Sequence, residues 1–250
     1  MLRSVCCFCF SSENSENERQ PLLQHRSSDL NGAESARKTL QAVNKAQTVK
    51  RTGKLVMRRM CLPELDKRFS DMAETFNKQQ EYYEAMVQHA SALRQSYGCD
   101  HDNGLAFSEC LAKIREEHEA TYRISLRVKG YDFSLSVIPL GLELESQEKT
   151  LPPHLQFAQD ELRGISDSAK ATISKSTTLQ ELIGWLLRSR DQMTKQVKEA
   201  AESYQELGRL NENLEENMKE VKRAKDLSLK YRQQAGGVFI EAAQIAGAYL

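Results

Sequence analysis

Along the last third of the chain, mostly apolar residues recur at steps of four and three: Leu179, Ile183, Leu186, Arg190, Met193, Val197, Ala200, Tyr204, Leu207, Asn211, Leu214, Met218 and Val221. A repeat of 3.5 residues predicts a helix whose apolar seam lies against another helix. No proline follows Pro153. The interior glycines Gly184 and Gly208 cost only about 1 kcal/mol each relative to alanine. Extended to Gln234, such a helix would be roughly 80 Å long. At that length it is expected to lie along other long helices, of this chain or of a partner, rather than fold back on itself. Arg190 and Asn211 break the seam with polar groups, a device that fixes register or partner number at a cost in stability.

Upstream, Pro63 suits the first turn of a helix. Leu65, Phe69, Met72, Phe76, Tyr83, Met86, Ala90, Leu93 and Tyr97 keep helical spacing up to the polar break at Gly98–Gly104. A second helix is predicted from Leu105 to Val128, with Phe107, Leu111, Ile114, His118, Tyr122 and Leu126 on its apolar side. The segment 131–138 alternates like a strand, but a lone strand has no partner, so it reads as a continuation of the helix or an irregular segment ending at Pro139. After a polar connection closed by Pro152-Pro153, a further helix begins near His154 and presents Leu155, Ala158, Leu162, Ile165, Ala169 and Ile173. Thr178 could cap a new helix after the joint at Ser174–Thr177, or the helix could run straight through. Gly236-Gly237 is expected to end or hinge the last helix. The apolar tail beyond it is too short to span a bilayer and is expected to dock on the helices, insert partly in a membrane or bind a partner.

The fold class expected is all-α: an elongated bundle of three to four long helices with coiled-coil character. The divisions are a disordered leader over 1–48, a basic amphipathic segment over 49–62, helices over 63–235 and a tail over 236–250. Composition fits this picture. Aromatic residues make up only 7% of the 250 residues, and the 35 basic and 35 acidic side chains cancel. That balance argues against a dedicated nucleic-acid binder. No stretch approaches 18 apolar residues and no secretory signal is recognisable, so a reducing, cytosolic setting without disulfides is expected.

Candidate chemistry concentrates in the leader. Cys6, Cys7 and Cys9 are interleaved with Val5, Phe8 and Phe10 beside Arg3. Clustered cysteines in such surroundings predict S-palmitoylation, and two or three acyl chains make a stable anchor where one does not. Residue 2 is Leu2 rather than glycine, which excludes myristoylation. Further along, Glu18-Arg19-Gln20-Pro21-Leu22-Leu23 matches an acidic dileucine signal, with Glu18 four residues before the pair Leu22 and Leu23. Such signals are read by clathrin adaptors: the leucines fill an apolar pocket and the acid meets a basic patch.

Cys6-Cys7, Ser11-Ser12-Glu13-Asn14, the charged run to Leu22-Leu23, and Leu30-Asn31-Gly32-Ala33-Glu34 resemble the leader of the membrane-anchor subunit family of the Ragulator complex. The resemblance covers about the first 30 residues. It implies an endolysosomal address, with Cys6 and Cys7 carrying lipid and Leu22 and Leu23 the sorting role.

The segment after the leader is basic. Lys50, Arg51, Lys54, Arg58 and Arg59 lie among Leu55, Val56, Met57 and Met60. They read as a short amphipathic helix or polybasic patch, each charge worth about 1 kcal/mol near an anionic leaflet. A basic amphipathic segment followed by three long helices also resembles BAR-type proteins, which implies a dimer on a curved membrane. Enzyme motifs are missing. The set Cys99, His101, Cys110 and His118 has no spacing that justifies a metal site, so no metal and no cofactor are expected. Trp185 reads as a core residue. The function expected is a non-enzymatic peripheral membrane adaptor in endolysosomal or vesicle trafficking. It would sit on the cytoplasmic face of those membranes or of the plasma membrane. Its partners would be an anionic membrane surface, a clathrin adaptor, and a second copy or helical protein bound through Ile183, Leu186, Met193, Val197, Tyr204, Leu207, Leu214 and Met218. The alternative is a structural coiled-coil linker of the cytoskeleton or cilium.

Overall fold

A computed structural model of the chain describes residues 53–99, 104–140 and 151–247. The chain divides into Met1–Gly53 and Lys54–Leu250, and all described residues except Gly53 belong to the second unit. The leader, Lys50, Arg51 and His101 lie outside the described residues. Among the described residues there are five helices and one hairpin: α1 (Pro63–Ser96), α2 (Ser108–His118), β1 (Tyr122–Lys129), β2 (Asp132–Pro139), α3 (Pro153–Arg188), α4 (Arg190–Ala200) and α5 (Tyr204–Ala246). The chain is thus mostly helical, not all-α. No helix among these is long and apolar enough to cross a membrane.

Side-chain hydrogen bonds fix how the long helices run. Gln79 meets Thr172, His89 meets Glu161 and Tyr97 meets His154, so α1 and α3 are antiparallel. Ser176 of α3 meets Ser228, and Arg190 at the start of α4 meets Glu215, so α5 runs antiparallel to α3 and α4. Tyr83 bonds Gln234, which leaves α1 and α5 parallel. Two apolar clusters lie along the three helices. One gathers Leu55, Met60, Phe69, Phe76, Leu179, Leu186, Met193, Leu214 and Val221. The other gathers Met86, Leu93, Phe107, Ile114, Leu126, Phe133, Leu162, Ile165 and Phe239, and the hairpin closes over it.

Local chemistry sets most boundaries. Pro63 starts α1, with Glu64 and Asp66 facing the positive end of the helix dipole. The helix ends at Gly98, whose φ is +57°, while the Cys99 amide donates to the Arg94 carbonyl, closing a Schellman turn that only glycine enters without strain. Helix α2 has no cap of its own. Glu241, the one charge in the apolar end of α5, supplies it by accepting from the amides of Phe107 and Ser108 at 3.0 and 2.9 Å.

Four expectations about the helices and the hairpin are corrected. The helix predicted to run to Val128 stops at His118, and 122–129 forms a strand. A spacing of four is about one helical turn but also two strand repeats, so Tyr122 and Leu126 fitted both. Ile124 and Val128, on the same face, fit only the strand. The segment 131–138 therefore has a partner, with Leu126 opposite Leu135 and Val128 opposite Phe133. Gly130, with φ +60°, opens the two-residue turn between the strands.

The seam is not one helix either. It stops at Ser189 and again at Ala201–Ser203, where the chain reverses. Ser203 caps α5 by accepting from the Glu206 amide, and the Glu206 carboxylate accepts from the amide of Glu202, one residue before the cap. At the far end, Gly236-Gly237 neither ends nor hinges α5. Buried Ala235, Val238, Phe239, Ala242 and Ala243 hold the helix through to Ala246.

Candidate functional site: a strap held across the helices

The chain before α1 forms no helix. Residues 54–62 form neither helix nor strand, which corrects the amphipathic-helix reading over this part of the basic segment. Leu55 and Met60 are fully buried, while Lys54, Val56, Arg58 and Arg59 face solvent. Three asparagines from α1 and α5 hold the backbone of this strap. Asn77 Oδ1 accepts from the Leu55 amide at 2.7 Å, and its Nδ2 donates to the Leu55 carbonyl at 3.0 Å. Asn217 repeats the arrangement on Arg58, accepting from the amide and donating to the carbonyl, both at 2.8 Å. Asn213 Nδ2 donates to the Arg59 carbonyl at 2.9 Å, and Asp66 Oδ1 accepts from the Met60 amide at 2.7 Å. An amide that both accepts from and donates to one residue satisfies an extended backbone as a neighbouring strand would. At the corner into α1, Cys61 adopts φ +56°, a left-handed conformation that strains a non-glycine residue.

A cleft of about 520 Å³ opens between strap and α1, lined among others by Val56, Arg59, Lys67, Ser70, Glu74 and Asn77. Its walls carry both signs of charge. Two of the predicted membrane-binding residues are engaged on the strap: Lys54 Nζ lies 2.8 Å from Glu81, and Arg58 lies 3.9 Å from Glu212. The hydrogen bond and charge of Glu81 raise the Lys54 pKa further above its ordinary value. Arg59 has an exposed head.

Between the two apolar clusters runs a polar layer. Gln79 is fully buried; its Nε2 donates to the carbonyls of Thr172 and Ser228, and its Oε1 has no partner. Ser176 and Ser228 face each other beside it, 3.4 Å apart. One turn on, the rings of Tyr83 and Tyr231 stack at 4.2 Å and the Tyr83 hydroxyl donates to Gln234. Burial raises the pKa of both tyrosines, for Tyr83 against the lowering effect of Gln234.

Ile183, Leu186, Met193, Val197, Leu214 and Met218, from the predicted seam, are buried inside this chain; Leu207 is half-buried and Tyr204 is exposed. Arg190, the polar break in the seam, pairs with Glu215 at 2.6 Å. Trp185 is half-buried, with the Arg68 guanidinium 3.8 Å above its ring. Cys6, Cys7, Cys9, Glu18, Leu22 and Leu23 lie outside the described residues. Among the described residues, no three His, Cys, Asp or Glu side chains gather as a metal site would need.

The clamp residues escaped the sequence reading. Their signal was Asn77, Asn213 and Asn217, poor helix formers set inside long helices, with Asn213 and Asn217 one turn apart. No family model matches the chain, and no curated protein or solved structure is similar to it.

Proposed function

We propose that this chain is a non-enzymatic peripheral membrane adaptor, working on the cytoplasmic face of endolysosomal or other intracellular membranes. Acyl chains on Cys6, Cys7 and Cys9 anchor it. Glu18, Leu22 and Leu23 offer a clathrin adaptor its signal, and an elongated body of three long helices with coiled-coil character binds a helical partner or a second copy. The observation that carries this reading is the leader itself: three cysteines within the first nine residues, set among apolar side chains and followed by an acidic dileucine. The strap supports it. Because Asn77, Asn213 and Asn217 hold its backbone, tension on the chain from an anchored leader would pass directly into α1 and α5.

The test is an acyl-exchange assay with membrane fractionation, comparing wild type with Cys6→Ser/Cys7→Ser/Cys9→Ser. Acylated wild type on endolysosomal membranes and an unacylated, cytosolic triple variant are expected. Unchanged acylation and location in the variant would end the adaptor reading.

A further inference from the structure

The strap's cations are partly neutralised by Glu81 and Glu212, but a second group of cations is not. Strand alternation turns Ile124, Leu126, Phe133 and Leu135 of the hairpin inward. The same alternation sends Arg123, Ser125, Arg127 and Lys129 of β1 outward, with Ser134, Ser136 and Ile138 of β2. The register sets Arg127 opposite Ser134, Ser125 opposite Ser136 and Arg123 opposite Ile138. Arg123, Arg127 and Lys129 have no ion-pair partner among the described residues. Asp132, the one carboxylate on this sheet face, is held by Lys170 at 2.8 Å. Continuing the outward side of β2, Ile138 is 44% and Leu140 51% exposed. In sequence, Glu143, Glu145 and Glu148 follow, outside the described residues.

We propose that the outer face of this hairpin docks on an anionic lipid bilayer, with Arg123, Arg127 and Lys129 against the headgroups and Ile138 and Leu140 at the acyl boundary. Charge complementarity selects the partner: three cations with no ion-pair partner among the described residues lie on one side of one sheet, with short serine side chains between them that let phosphate oxygens approach. Arg123 and Arg127 stand roughly 13 Å apart along the strand, so the patch is a flat row, matched to a surface carrying many headgroups. The apolar pair beside the row fits the boundary of a bilayer, where amphipathic faces bury. The inference takes its setting from the membrane reading above but does not depend on acylation.

The test uses the full chain made without acylation and co-sedimented with vesicles of phosphatidylcholine, with or without roughly 30% phosphatidylserine. Wild type should bind only the anionic vesicles. At about fivefold per charge, Arg123→Gln/Arg127→Gln/Lys129→Gln should weaken that binding on the order of a hundredfold. Ser134→Glu/Ser136→Glu, which adds charge at outward positions, should weaken it as well, and decides the matter if the triple variant does not fold. Arg58→Gln/Arg59→Gln should have the smaller effect. Equal binding to neutral vesicles, folded hairpin variants that bind like wild type, or a preference for RNA over vesicles would overturn the proposal. A failed acylation assay in cells would leave these vesicle results untouched, so the two readings fail separately.

Discussion

Single side chains decide how the strap and the helices are held. Asn217 is buried and makes both of its bonds to Arg58. Asn217→Ala would leave that backbone unsatisfied at a cost of about 1–3 kcal/mol. Hydrogen exchange at the Arg58 amide should accelerate far more than in the helix cores. His89 is a second case. Its ring lies over Gly164, where an added Cβ would come within 2.6 Å, and its Nδ1 is 2.8 Å from Glu161 Oε2. Gly164→Ala should displace the ring and lower the melting temperature, although alanine is the better helix former. In a His89→Ala background the same change should stabilise, by about 1 kcal/mol. Failure of that reversal in thermal melts would show that the ring is not the obstacle.

Two buried groups, Tyr97 at the end of α1 and Cys110 in α2, carry a pH dependence. Burial, then the hydrogen bond and charge of neighbouring Cys99, push the Cys110 thiol up from 9.0 to about 12. Burial, with Glu117 and Cys110 adding to it, pushes Tyr97 up from 10.0 to about 12. The folded state thus binds these protons more tightly than the unfolded chain does. The stability they contribute is present below about pH 9 and is lost as pH rises toward 12. Melting temperature should therefore fall steadily over that window. At neutral pH, alkylation mapped by mass spectrometry should label exposed Cys61 well before Cys110.

At the scale of elements, α2 and the hairpin depend on the far end of the chain. Glu241 caps α2, Phe239 packs edge-on against Phe133 and Tyr131, and Phe107 stacks on Phe133 at 5.6 Å. Glu241→Ala should cost about 1–2 kcal/mol, as the loss of a helix cap does. The loss should appear as faster exchange in α2 and the hairpin and leave the strap end unaffected. The seam belongs to this scale too. Its heptads were legible, but the reversal at Ala201–Ser203 was written in the Ser203 cap and the Glu206 behind it, and a short polar signal is easily overlooked inside a long apolar repeat. The hairpin was hidden for a different reason: periods of two and four coincide at Tyr122 and Leu126.

For the molecule as a whole, the polar layer around Gln79 separates two apolar cores. Removing Gln79 orphans no helix, because the carbonyls it meets lie within α3 and α5, and it eliminates an unpartnered buried oxygen. Gln79→Met is therefore expected to keep or raise stability, by about 1 kcal/mol. A drop of that size or more in denaturant melts would instead mean that the layer is needed to set the register of the three helices.

By itself, the sequence determined that the chain would build long amphipathic helices, where α1 would begin and end, and that three cysteines would cluster ahead of an acidic dileucine. These follow from periodicity, proline and glycine, which act within a few residues. Only the tertiary structure decided which helices share the seam, that residues 54–62 are held without a helix of their own, and that Glu241 caps a helix more than a hundred residues away. The strap shows why: its backbone is satisfied by asparagines up to 159 residues distant, and no local pattern encodes a hydrogen bond whose two partners meet only when the helices pack.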